Sequence, residues 1–335
     1  MKILYIPVTK KITEKNLKNY IKCFLYDIYI IVKNLSFKRK ASNSTSGYID
    51  AAIHSNAYVL ELPYNFCIIF SKFLNFLFDG IFVNWKFTNY RKDKDALEAK
   101  LIRISKKFTI KKVIVDARDM STSVINDEIL EGFDYVIKRE KNKSISNNKY
   151  LSTILPCKLI DYNIYKNKEI IDWDNIGNSK PNDISIYDIY FSGTQSSKYR
   201  NELTEFLKNK NYNFFGRTEN SKIPFKQYLK TIYDSSINLA LEGVGEFTFR
   251  HLEILSSCSF MLCENSINQL ELPIPLIDGK HFVSFKDKED LIKKIDFYLK
   301  NKQLRNEIAL NGRKVLEKHY SPKRHGEFLI KKIFQ

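Results

Sequence analysis

Residues 239–262 read LALEGVGEFTFRHLEILSSCSFML and set Gly243, Gly245, Glu246, Arg250 and Glu253 among apolar runs. The alternation ends in a glycine-bracketed turn, and a helix is expected to start near Glu246 or Thr248. Arg250 then falls near its first turn, where the helix dipole disfavours a cation. An anion held at the helix start would reverse that preference. Glu253, between Leu252 and Ile254, is suited to accept hydrogen bonds from two hydroxyls of a ribose. The competing reading is a salt bridge, Glu246–Arg250 or Arg250–Glu253, at a domain surface. The combination of residues favours a bound anion over that bridge.

Three other strand ends in the second half carry polar groups. In FSGTQSSKYR, Gly193, Thr194, Lys198 and Arg200 join a strand to a helix start. Glycine, hydroxyls and free backbone N–H groups there make a phosphate cradle, or else an ordinary capped turn. Arg217 in FFGRTEN follows the next strand, on the same sheet edge. Glu264, Asn265 and Ser266 in CENSINQLELP end another strand and cap the segment after it. In the first half, VIVDARDMSTS places Asp116, Arg118 and Asp119 after a strand. Those carboxylates suit either a general base that holds an acceptor hydroxyl or an Asp–Arg network that orders the loop. His54, near Asp50, is a second base candidate, and Lys138 and Arg139 in DYVIKRE are candidates to lie beside a phosphate. The sequence contains no Walker loop, no G-x-G-x-x-G after the first strand and no H-E-x-x-H.

These residues need a scaffold, and 335 residues are enough for two cores. Apolar strand runs alternate with amphipathic stretches throughout, which predicts an α/β protein with mostly parallel sheets. A helix is expected over residues 12–33, a polar loop over 36–47, and helices over 50–56 and 64–78. The expected division is a first Rossmann-like domain at 1–165, a linker at 166–186, a second Rossmann-like domain at 187–318, and a last helix at 319–335. The five cysteines are scattered without a C-x-x-C pair, so free thiols in a reducing, cytoplasmic setting are expected. The net charge of +17 points to a phosphate-bearing partner or an anionic membrane surface. No basic-aromatic repeat indicates specific reading of nucleic acid. The apolar run at 64–85 is interrupted by Lys72 and Asp79, which favours a core helix or an interfacial helix over a membrane span.

The segment EGVGEFTFRHLEILSSCSFMLCEN, followed by DGKHFVSFKDKEDLIKKIDFYLKNKQLRNEIALNGRKVLEKHYS, resembles the C-terminal half of GT-B glycosyltransferases of the group-one and CgeB-like kinds. The Arg-x-x-Glu helix is similar to that of CgeB-like and exostosin-like members. The likeness covers residues 187–335 and, more weakly, 110–160. It implies two doubly wound domains facing across a cleft, with a nucleotide sugar held by the second domain. By position, Arg250 would contact the donor diphosphate and Glu253 the ribose, with Arg200 and the 193–198 turn lining the same cleft. The first domain would present an acceptor hydroxyl, on a glycan or lipid-linked glycan. No metal or further cofactor is implied. The last helix is expected to pack back on the first domain. Many retaining members carry two glutamates with seven residues between them, and with the second aligned on Glu253 it is Gly245 that stands at the first position. Cys258 stands where a small glycine is usual, so inversion and retention both stay open. The expected role is bacterial surface-polysaccharide assembly (capsule, lipopolysaccharide or O-antigen), in the cytoplasm or at the inner face of the membrane. A nucleotide-sugar epimerase on the same fold and a non-catalytic binder of anionic surfaces or nucleic acid are the competing functions.

Overall fold

Strand runs such as KILYI, GIFVN and KKVIVD are apolar on both faces, which suits parallel strands covered by helices on each side. The computed structural model describes residues 1–6, 52, 56–84, 94–118, 120–154, 160–163, 168–171, 179–193, 198–217 and 223–335. The first sheet contains β1 (Lys2–Ile6), β2 (Tyr58–Glu61), β3 (Gly80–Asn84), β4 (Lys111–Asp116), β5 (Tyr135–Arg139) and β7 (Tyr150–Thr153). Its order is β2-β1-β3-β4-β5-β7, with every pairing parallel. One face is covered by α1 (Tyr64–Ile69), α2 (Ser71–Leu77), α3 (Lys94–Lys107) and α4 (Asp127–Glu131) around Leu4, Ile81, Leu101, Ile114 and Val136.

The single helix expected over 64–78 is interrupted at Phe70, whose φ of −97° and ψ of 18° separate α1 from α2. Each piece turns its own pair inward, Cys67 with Ile68 and Ser71 with Leu74.

The second sheet contains β10 (Tyr187–Ser192), β11 (Phe214–Arg217), β12 (Ser235–Ala240), β13 (Met261–Glu264) and β15 (Val283–Phe285). It is also all parallel, in the order β11-β10-β12-β13-β15. Its helices are α5 (Lys198–Lys208), α6 (Phe225–Tyr233), α7 (Phe249–Ser256), α8 (Lys288–Lys300) and α9 (Lys302–His319). The last helix, α10 (Pro322–Phe334), leaves this layer. It packs Leu329, Ile330 and Ile333 against Ile3, Phe82 and Val113 of the first sheet, with Phe334 stacked on Phe82 at 6.3 Å.

A small ribbon joins the two halves. β6 (Lys141–Asn142) pairs antiparallel with β14 (Leu270–Glu271), and Lys141 Nζ meets Glu271 Oε2 at 2.7 Å. The Lys143 N–H donates to Gln269 O at 2.8 Å. The expected linker, 166–186, includes β9 (Lys168–Ile171), which pairs antiparallel with β8 (Ile160–Asn163). The segments expected as a helix at 12–33 and a loop at 36–47 lie outside the described residues, as do Cys23 and Cys157. Cys67, Cys258 and Cys263 are free and buried. Among the described residues no helix is long and apolar enough to cross a membrane.

Helix α7 ends in a Schellman motif. The Ser259 N–H donates to Ile254 O and the Cys258 N–H to Leu255 O, with Cys258 at a φ of 51°. Left-handed backbone at that position normally selects glycine, so a local conformational cost accompanies the cysteine.

Candidate functional site

Parallel sheets of this kind bind ligands beyond the carboxyl ends of their strands. There β10 passes into Gly193 and β12 into Leu241, Glu242 and Gly243. A Cβ on Gly193 would lie 3.3 Å from one terminal nitrogen of Arg250 and 3.4 Å from one of Arg200. On Gly243 it would lie 3.3 Å from the other Arg200 terminal nitrogen. The two glycines therefore let both guanidiniums lie against backbone. Arg250 also sits over the Phe191 ring at 4.7 Å and Arg200 over the same ring at 5.7 Å.

Arg200 is buried on α5 and donates to Leu241 O at 2.7 Å. Burial, and then the charge of Arg250, pull its pKa down to about 10. Two guanidiniums brought together out of water are a poor arrangement alone and a good one around an anion. Arg250 occupies the second position of α7, beside the unsatisfied N–H groups of that helix start. Its Nε donates to the Tyr228 hydroxyl at 3.3 Å, and that hydroxyl donates to Glu253 Oε2 at 2.8 Å. Burial, with Glu253 beside it, pushes the Tyr228 phenol well above its usual range, so it stays protonated. Tyr228 thus holds Arg250 and Glu253 in a fixed relation, one turn apart on α7.

His251, between them in sequence, is buried and turned away. Its Nδ1 accepts from the Thr248 N–H at 3.0 Å and its ring stacks on Phe247 at 4.7 Å. Burial lowers its pKa to about 3, and the charges of Arg250 and Arg200 add to the effect, so it is a neutral cap.

A cavity of about 470 Å³ opens beside Gly243, lined by Tyr199, Glu242, Glu264, Lys286 and Lys288. Glu264 Oε2 accepts from the Glu242 N–H at 2.5 Å, while the Ser266 hydroxyl donates to the Glu242 carboxylate. Burial, together with the Glu242 charge, raises Glu264 to about 7. The sequence marks Glu264 and Ser266 as strand-end groups, but Glu242 escapes notice because its partners come from another strand.

The remaining residues divide clearly. Glu246 faces the first domain, where Ser121 Oγ donates to its Oε1 at 2.6 Å across the cleft. Gly245 is buried in the same turn, with its carbonyl accepting from the Gly243 N–H at 2.9 Å. Arg217 lies at the end of β11, in register with Ser192. Lys198 begins α5, but its side chain is exposed and pairs with Glu202 at 3.5 Å, away from the arginines. Thr194, Asp119 and His54 lie outside the described residues.

Two groups of first-half candidates lie in buried ion pairs, and for Asp116 the arrangement is the Asp–Arg network. Asp116 is fully buried, gripped by Arg118 through bonds of 2.8 Å to each carboxylate oxygen and by Lys138 at 3.2 Å. Burial alone would raise its pKa, but Arg118 and Lys138 outweigh it and hold it below the usual carboxylate range. A buried carboxylate in that state is no proton acceptor for a substrate. Lys138 and Arg139 are buried as well, Arg139 against Glu140 at 3.1 Å. Lys138 Nζ also donates to Met120 O and Ser123 Oγ, at 2.7 and 2.9 Å. The network therefore orders the loop that carries Ser121 to Glu246. Among the described residues no group of three or more metal-ligating side chains is assembled.

Residues 196–331 match the family described as glycosyl transferase-like. An alpha-glucosyltransferase in complex with UDP superposes with a TM-score of 0.53 at 10% identity, over 99% of this chain and 100% of that one. The same kind of enzyme in complex with UDP and a 13-mer DNA containing a central A:G mismatch gives 0.52 at 10% identity, over 98% of each chain. A third complex, with UDP and a 13-mer DNA containing a HMU base, gives 0.50 at 12% identity over the full length of both. No curated protein matches by sequence. At such identities the structural likeness establishes the fold, which is GT-B. Residues 196–331 are similar to the glycosyl transferase-like family, and that match together with the GT-B fold supports a glycosyltransferase.

Proposed function

We propose that the protein moves a sugar from a nucleoside-diphosphate donor to a hydroxyl acceptor. The observation that carries this reading is the convergence of the Arg200 and Arg250 guanidiniums on Gly193, between the carboxyl ends of β10 and β12. A diphosphate fits between those cations at the start of α7, with the ribose one turn deeper at Glu253. As the sugar bond breaks, negative charge grows on the leaving phosphate, and fixed arginines and helix-start N–H groups stabilise it there. The cavity lined by Glu242 and Glu264 leaves room for the transferred sugar. In this reading residues 187–318 form the donor domain, 1–165 the acceptor domain, 166–186 the linker and 319–335 the returning helix. Asp116 being committed to its ion pairs, the acceptor proton falls to Asp119 or His54.

The acceptor proposed is a glycan of a bacterial surface polysaccharide, carried on lipid and met at the inner membrane face. In support, α1 and α2 expose Ile69, Phe70, Phe73 and Phe76, at 74%, 45%, 61% and 87%, on a chain of net charge +17. An aromatic ridge on a basic protein suits an anionic bilayer surface. DNA is the second reading, favoured by the same charge and by the DNA in the similar glucosyltransferase complexes.

The test is a thermal-shift panel of UDP-, GDP-, CMP- and TDP-sugars, since a ligand of the native state raises apparent stability by mass action. Transfer from the best donor is then assayed onto lipid-linked glycan and onto duplex DNA. Stabilisation by at least one donor and transfer to the glycan are expected. Transfer to DNA alone supports the second reading, and no shift with any donor removes the donor-site assignment.

A further inference from the structure

A cavity of about 550 Å³ lies apart from the donor site, where the start of edge strand β7 and the turn after β14 meet the end of α9 and the outer face of α10. None of the donor-site side chains lines it. Its charge is lopsided, with Lys141, Lys318, Arg324 and Lys332 set against the single carboxylate of Glu271. That carboxylate is already engaged by Lys141 at 2.7 Å. Lys318, Arg324 and Lys332 have no carboxylate partner among the described residues. His319, at the same junction, titrates below its usual range through burial and through the charges of Lys318 and Arg324. The cations therefore crowd one another with nothing opposite.

The cavity also has an apolar wall. Phe328 is 58% exposed on α10 and lies nearly parallel to the His325 ring, at 6.4 Å and 19°. An exposed aromatic ring beside uncompensated cations is the pairing by which proteins hold phosphate groups attached to flat or apolar bodies.

We infer that this cavity is a second anion site, taking an organic phosphate whose phosphate lies among Lys318, Arg324 and Lys332 and whose planar body lies on Phe328. The occupant would touch α10, which packs on the first sheet, and the β14 turn of the second half, so it would bridge the two layers. The site is independent of the donor reading, because it shares no residue with the donor cleft.

Isothermal titration of AMP and of inorganic phosphate, at low and moderate salt, tests it on the full chain. Wild type and Arg250→Ala should both bind AMP with an affinity that falls as salt rises. The Lys318→Ala/Arg324→Ala double variant should bind at least about tenfold more weakly, the loss expected for charge-assisted contacts. Phe328→Ala should weaken AMP but not inorganic phosphate. Lys332→Gln serves as the second probe of the phosphate position if the double variant melts early. AMP binding that survives both sets of changes overturns the site, as does its loss in Arg250→Ala alone. Inorganic phosphate binding as tightly as AMP overturns the assignment of the planar body to Phe328.

Discussion

Replacing Arg200 with methionine should cripple the donor site without destabilising the free protein. Arg200 is 5% exposed, and its pKa is drawn down to about 10 by burial and by the Arg250 charge. Holding that cation in place at neutral pH costs the free fold roughly 3 kcal/mol. Methionine keeps much of the aliphatic stem and removes the charge. The charge-assisted hydrogen bond to buried Leu241 O is lost, which returns about 1.5–3 kcal/mol of that gain. The net expectation is about 0–1.5 kcal/mol of added stability, seen as a Tm unchanged or higher by a few degrees. The same change removes one of two cations facing the diphosphate, so UDP should bind about ten- to a hundredfold more weakly. Differential scanning calorimetry and isothermal titration read the two effects separately. A lower Tm with unchanged UDP affinity would refute the reasoning, since Arg200 would then be a structural cation.

Asp116→Asn should act through stability, lowering it by about 3–5 kcal/mol because Arg118 and Lys138 lose their buried counter-charge. Denaturant titration measures this, and a variant of normal stability that lacks turnover would instead restore Asp116 as a base. Cys258→Val should destabilise by about 1–3 kcal/mol, since a β-branched side chain is strained at a φ of 51°; an unchanged melting curve would contradict that. Glu264, raised to about 7, binds its proton more tightly when folded, so its contribution to stability is complete in acid. That contribution is lost as pH rises from the ordinary carboxylate range through about 7. Glu264→Gln, which can still accept from the Glu242 N–H, should therefore flatten the fall in Tm between pH 5 and pH 8, where ~pH 5–8 brackets the transition. An identical slope in wild type and variant would count against the shift.

The scaffold was legible because its strands are unbroken apolar runs: GIFVN and KKVIVD could hardly be anything but buried parallel strands. The stretch around Arg250 was legible for a different reason, since a cation at a helix start conflicts with the helix dipole. Tyr228 was invisible, because FKQYLKTIY reads as an ordinary amphipathic helix and only the fold brings its hydroxyl between Arg250 and Glu253. The ribbon of β6 with β14 is two residues long on each side, too short for any periodicity. Asp116 stayed open between base and network because sequence does not distinguish a strand-end carboxylate open to substrate from one closed by Lys138 on the neighbouring strand. The same limit applies to Glu246, whose partner Ser121 lies in the other half of the chain.

The central claim, that Arg250 and Glu253 grip a nucleoside diphosphate, is tested most directly by isothermal titration of UDP into wild type, Arg250→Ala and Glu253→Ala. The expected result is saturable binding to wild type and a loss of affinity of at least about tenfold in each variant, with both still folded. Equal affinity in all three proteins would contradict it.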